Sequence, residues 1–260
     1  MPETPHVAAI LLVSALGGAA NSVAGGGMLL TFPALIGLGV PPVAANATCT
    51  VALWPGALSS MWGYRRELSG AGAWAARLVL PSALGGLLGA GLLLAGGDAW
   101  FARLVPFLVL GATLLFVAQR PLVRLAARWR PREAPAAGAL PRPTAGALCF
   151  QFLVGVYGGY FGAGAGILTL ASLGLLGFAN IHQMNGLKNW TALCFNAVAI
   201  VAFALNGAVR WPLAAVMAVG TTAGGYAAAG LARRAPQGVV RGAVALIGFG
   251  SAAWLLSRGR

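Results

Sequence analysis

Negative charge is nearly missing from this chain. Of 260 residues only 4 are Asp or Glu against 17 Lys or Arg, and charged residues of all kinds make up 8%, where a soluble domain carries about 25%. So few charges cannot coat a water-facing surface, which excludes a soluble globular domain. The four carboxylates, Glu3, Glu67, Asp98 and Glu133, fall at the ends of apolar stretches or between them. A carboxylate proton relay or an Asp-based sodium site therefore has no obvious material inside a span. Cysteine is scarce too: Cys49, Cys149 and Cys194 sit in apolar stretches without CxxC or Cys/His spacing, which argues against a disulfide framework and a metal centre. No catalytic cluster is legible, so neither enzyme activity nor a cofactor is expected. Lysine occurs once, at Lys188.

What abounds is apolar surface: 59% hydrophobic residues, a mean hydropathy of +0.83, and apolar runs along the whole length. The expected class is an all-α, polytopic integral membrane protein. At roughly 20 residues per crossing the length allows about eight to ten membrane segments. They are read at 6–23, 27–39, 43–63, 73–96, 99–118, 144–161, 165–178, 181–205, 211–232 and 239–257. The formal charge of +13 does not point to nucleic acid, because six arginines, Arg120, Arg124, Arg128, Arg130, Arg132 and Arg142, crowd into one connection. That is the positive-inside signature of a cytoplasmic loop, with anionic membrane lipid as its partner. The start, MPETPH before VAAILLVSAL, has no basic region and reads as a retained helix rather than a cleaved signal. Trp54, Trp62, Trp74, Trp190, Trp211 and Trp254 lie near expected helix ends, as in an interfacial belt.

The arginine-rich connection divides the chain into a first transmembrane repeat (1–118), an Arg/Pro-rich cytoplasmic linker (119–143) and a second transmembrane repeat (144–260). An offset of 139 residues lays Gly27 on Gly166, Leu29 on Leu168, Asn46 on Asn185, Thr50 on Asn189 and Gly85-Gly86 on Gly224-Gly225. Each half then shows a Gly-rich break, a short helix and full-length helices in the same order, which is the mark of a duplicated transporter fold. The first two segments of each half form either a hairpin or one broken crossing, and the charge rule fits both about equally. The N-terminus without Lys or Arg favours the hairpin, which gives five crossings per half and halves inverted about the membrane plane.

Lys188 stands near the start of an otherwise apolar helix in the second half, where no Asp or Glu follows Glu133 to pair with it. An unpaired ammonium at a helix centre costs roughly 2.5 to 3.5 kcal/mol on insertion scales, so its counter-charge is a substrate, or else the side chain snorkels to the interface. Asn185, Asn189 and Asn196 fall within about 40° on a helix, with Lys188 about 60° from Asn185. Asn46 and Thr50 repeat this spacing in the first half. The stripe suits either anion contacts or hydrogen bonds between helices. His182 and Gln183 lie beside it, His182 being the only titratable proton carrier there. The glycine turns AGGGMLLTFPALIG, with Gly25, Gly26 and Gly27, and FGAGAGILTL, with Gly164 and Gly166, each open a short apolar segment. They offer bare N–H groups and a positive helix end, or simply room for close packing. FGAGAG lacks the βαβ context of a dinucleotide fingerprint.

Two blocks, GGGMLLTFPALIGLGVPPVAANATCTVAL and YGGYFGAGAGILTLASLGLLGFANIHQMNGLKNWTALCFNAV, resemble the sulfite exporter TauE/SafE family of bacterial membrane permeases, over nearly the whole chain. The resemblance implies a multi-pass protein of the bacterial inner membrane that moves sulfite, organosulfonates or related small anions. Residues and resemblance converge on an anion passing Lys188, the Asn stripe and the glycine turns. The expected function is a secondary permease acting as an exporter. The alternatives are a proton-coupled or exchange importer of the same anions and a non-transporting membrane assembly protein. A homodimer is left open.

Overall fold

The computed structural model describes residues 4–24, 26–128, 140–141, 143–178, 180–231 and 237–258. Among them every regular element is an α-helix: α1 (Thr4–Ala24), α2 (Gly27–Gly37), α3 (Pro42–Gly63), α4 (Arg65–Ser69), α5 (Gly72–Arg128), α6 (Ala145–Tyr160), α7 (Ala165–Leu175), α8 (Ile181–Leu205), α9 (Trp211–Leu231) and α10 (Gln237–Arg258). The starts follow local chemistry. The Thr144 hydroxyl accepts from the Ala147 N–H and caps α6, Asn180 Oδ1 accepts from the N–H groups of His182 and Gln183 to cap α8, and Pro42 opens α3, where a missing N–H costs nothing. Within α5 the backbone breaks at Gly97, with φ 66° and ψ −178°, a conformation that only glycine adopts without strain. The two arms, 72–96 and 98–128, match the expected segments at the break, but the second runs on to Arg128 rather than stopping at 118. Helix α4 falls where a loop was expected. The stretch Gly72–Leu122 of α5 and helix α8 are long and apolar enough to cross a membrane, with mean hydropathies that reach 2.1 and 1.4.

The helices gather into two compact units. The first comprises α1, α2, the start of α3, most of the second arm of α5, the end of α8, and α9 and α10. Here α1 packs along α9 and α2, and α10 touches both α1 and α2. The second comprises the end of α3, α4, the start of α5, α6, α7 and α8 as far as Ala199. Its apolar cluster joins Ala71, Trp74 and Leu78 to Leu170, Leu173, Phe178, Met184 and Leu187.

In both units glycines lie where helix backbones meet, and large side chains on the same helices face outward. A Cβ on Gly85 or Gly89 would meet the α6 backbone at Phe152 and Val156, and one on Gly86 would meet Phe195, while Leu80, Leu84, Leu87 and Leu88 on the same arm are exposed. In the first unit Gly18 lies against Thr221 and Gly224 against Ala15, with Leu12, Leu16 and Val219 exposed. Close backbone approach of this kind is how helices associate where lipid removes the hydrophobic drive between them. Exposed leucine in this quantity needs an apolar solvent. The molecule is a helical membrane protein. The tryptophan belt holds only in part. Trp62 and Trp211 are exposed, but Trp74 is buried with its indole N–H donating to the Pro141 carbonyl, and Trp190 donates to Ala75. Each of these two indoles found an internal acceptor, so helix packing decided its position.

Candidate functional site

Helix α7 opens from a turn that only glycine can make: Gly162 and its N-cap Gly164 have φ of 82° and 83°. No side chain caps α7, so the positive end of its dipole is not neutralised locally. Lys188 comes from α8 to this end. A Cβ on Gly166, in the first turn of α7, would lie 3.1 Å from Lys188 Cδ and 3.2 Å from Cγ, so the lysine stem rests on bare backbone where any larger residue would push it away. Among the described residues the ammonium has no ion-pair partner.

At about 100° per residue, Asn185, Asn189 and Asn196 share one side of α8, while Met184, Leu187 and Thr191, all buried, lie on the other. The asparagines are half-buried and turn away from the apolar cluster of their unit, with Lys188 at the edge between the faces. On the far side of the stripe α4 lies along the start of α8. Tyr64 and Leu68 stand within 3.7 Å of a Cβ on Gly186, Gln183 Nε2 within 3.4 Å of one on Gly70, and the Tyr64 and His182 rings are 6.5 Å apart. His182 is exposed, and its backbone N–H is held by Asn180. The structure thus brings Gly164, Gly166, Lys188, Asn185, Asn189 and Asn196 to the start of α7 and one flank of α8, and sets His182 and Gln183 toward α4.

The remaining predicted residues belong to the first unit. Gly25 lies outside the described residues. Gly26 precedes α2, and its Cβ would collide with Phe116 and Val244; Gly27 abuts the Gly17 carbonyl and Asn21. Asn46 is buried, and the Thr50 hydroxyl donates to the Asn46 carbonyl at 2.9 Å. That hydroxyl is therefore spent inside its own helix. A cavity of about 170 Å³ lies between α1, α2 and α9, lined by Ile10, Ser14, Thr31, Leu35 and Met217 among others; none of the predicted residues lines it.

Three features escaped the sequence reading. Arg241 stacks on Phe116 with 4.9 Å between guanidinium carbon and ring centroid and donates to the Phe116 carbonyl, which brings a cation near the first glycine turn. Asp98, just past the Gly97 break, accepts from the Val43 N–H at 2.8 Å, so a carboxylate occupies the N-terminus of α3, whereas α8 is capped by neutral Asn180. Glu67 has its Oε2 buried without a hydrogen-bond partner among the described residues, on the helix packed against α8. Only contacts across long stretches of chain reveal the first two. Glu67 was visible as a rare carboxylate, but α4 was not.

A family model described as Sulfite exporter TauE/SafE matches residues 10–255. The chain is also similar to a "Probable membrane transporter protein" of Haemophilus influenzae, 28% identical over 232 residues that cover 88% of this chain and 86% of that one. No solved structure matches it. With the family model spanning both glycine turns, the asparagine stripe and nearly all ten helices, this membrane transporter belongs to the sulfite exporter TauE/SafE family.

Proposed function

We propose that the protein is a secondary permease of the bacterial inner membrane for small sulfur oxyanions, sulfite or organosulfonates, and that it works as an exporter. One observation carries this reading: the stem of Lys188, out to Cε, lies on Gly166 in the first turn of α7, which brings a cationic side chain to the positive end of a helix. Two like fields side by side repel unless an anion lies between them. Asn185, Asn189 and Asn196 supply neutral amides to orient oxyanion oxygens beside that charge. Gly26, Gly27, Asn46 and Thr50, read as the first-half counterparts, include no lysine, and Asp98 accepts at the start of α3. The second-half helices are thus the better anion site. The arginine-rich stretch 119–143 fits a cytoplasmic connection.

The test is Lys188→Met, which keeps most of the aliphatic length on Gly166 and removes the charge. Sulfite and sulfonate binding to the purified variant should weaken by about 1.5 to 3 kcal/mol, the scale of a hydrogen bond to a charged group, with little change in folding. Transport and binding at wild-type levels would overturn the assignment. A second reading, proton-coupled import, is favoured by the buried carboxylate oxygen of Glu67 beside the start of α8, and by His182. It requires that uptake into vesicles collapse with a protonophore.

A further inference from the structure

The turn before α7 is closed by an Ala165 N–H to Gly162 carbonyl bond of 3.2 Å and tied to α6 by Tyr157. Tyr157, in the last turn of α6, accepts at its carbonyl from the N–H groups of Phe161 and Gly162, at 2.9 and 3.2 Å. Its hydroxyl donates to the Ala163 carbonyl at 2.7 Å, and its ring packs with Val154, Ala165 and Phe195. Tyr157 therefore supplies every tie from α6 to this passage for which the structure shows a hydrogen bond. In a trans peptide the carbonyl of one residue and the N–H of the next point in opposite directions, and no cis bond occurs among the described residues. With the Ala163 oxygen drawn back to Tyr157, the Gly164 N–H must point away from α6. Without that bond the peptide between Ala163 and Gly164 can turn over, since glycine follows the carbonyl and tolerates either orientation. An oxygen would then face the place where an anion is to sit.

We infer that Tyr157 is a positioning residue for the anion site: by tying back the Ala163 carbonyl, its hydroxyl keeps the Gly164 N–H directed outward, toward an oxyanion held by Lys188. The inference rests on the anion reading given above. Counted back by the interval that separates α7 from α2, the place of Tyr157 is taken in the first half by Ala19, which cannot make such a tie. The device belongs to the half that carries the lysine.

Tyr157→Phe keeps the ring and deletes only the hydroxyl. In proteoliposomes transporting radiolabelled sulfite its KM should rise about fivefold to tenfold, as for a misdirected N–H donor to an anion. Vmax and the melting temperature without anion should stay close to wild type, and Tyr226→Phe, at an exposed position, should match wild type throughout. An unchanged KM overturns the inference, as does a loss of Vmax and stability together with unchanged KM, which would mark a purely structural role. Wild-type protein gives a readout that does not depend on the variant folding: amide hydrogen exchange across 162–166 should slow several-fold on adding sulfite, and unaltered exchange overturns the inference as well. Lys188→Met in the same assay separates the failures. If it behaves as wild type the anion site itself is wrong, whereas an impaired Lys188→Met beside a normal Tyr157→Phe removes Tyr157 alone.

Discussion

At the scale of single residues the lysine and the asparagines were legible because rarity is itself a signal in an apolar chain. An unpaired ammonium must find water, a carbonyl or an anion, and its spacing from the asparagines follows from helix geometry alone. What spacing could not show is how each polar atom is used. Thr50 stands 139 residues before Asn189, yet its hydroxyl returns to the Asn46 carbonyl, a bond that Ser and Thr readily form within a helix. Thr50→Val should therefore leave sulfite transport within about twofold of wild type, the effect of a residue outside the anion's reach; Asn185→Leu, which removes an amide with no internal partner among the described residues, should weaken sulfite binding by about 1 kcal/mol or more. Equal effects of the two substitutions in a binding titration would sink the distinction. Lys188→Arg should fall between wild type and Lys188→Met, because the guanidinium keeps the charge but spreads it over a planar fork, and Gly166 leaves little room for that fork to approach.

At the scale of elements, apolar length and glycine punctuation located α1, α2, α3, α6, α7, α8, α9 and α10 to within a few residues, since a membrane leaves helices as the main way to satisfy the backbone. The register between the halves is finer than that pattern. Helix α7 starts 138 residues after α2, at Ala165 against Gly27, and the left-handed glycines past their ends, Gly39 and Gly177, keep the same interval. Helix α8 starts 139 after α3, at Ile181 against Pro42. An offset of 139 therefore sets Asn46 on Asn185, while one of 138 sets Gly26, the N-cap of α2, on Gly164, the N-cap of α7. One extra residue in the connection from α7 to α8 accounts for this. Which glycines are structural is also hidden from composition. Gly224 meets the α1 backbone at Ala15, while Gly111 has nothing within 4 Å of a Cβ. Gly224→Ala should lower the melting temperature in detergent by several degrees, in line with a destabilisation of about 1 to 3 kcal/mol from overpacking. Gly111→Ala, which gains helix propensity of up to about 1 kcal/mol, should leave it unchanged or raise it. Loss of stability in both would mean that the contact at Gly224 is not the cause.

At the scale of the whole molecule, the proposed anion site carries an expectation for the electrical character of transport. On that reading the described part of the second unit offers the anion one ammonium and neutral amides, so a monovalent oxyanion would cross as one negative charge unless a proton accompanies it. A potential of 100 mV, negative inside, favours outward movement of such a charge by about 2.3 kcal/mol, which corresponds to roughly a 50-fold ratio of outside to inside anion at equilibrium. Proteoliposomes loaded with methanesulfonate, whose charge does not change across neutral pH, provide the measurement. Imposing an inside-negative potassium diffusion potential with valinomycin should drive efflux toward that ratio, reversing the potential should retain the anion, and a protonophore should leave the potassium-clamped flux unaltered. Efflux insensitive to potential but abolished by collapsing a pH gradient would show that charge moves in balance with a proton. Glu67 and His182, beside the start of α8, would then be the groups to substitute first, and export driven by potential alone would be excluded.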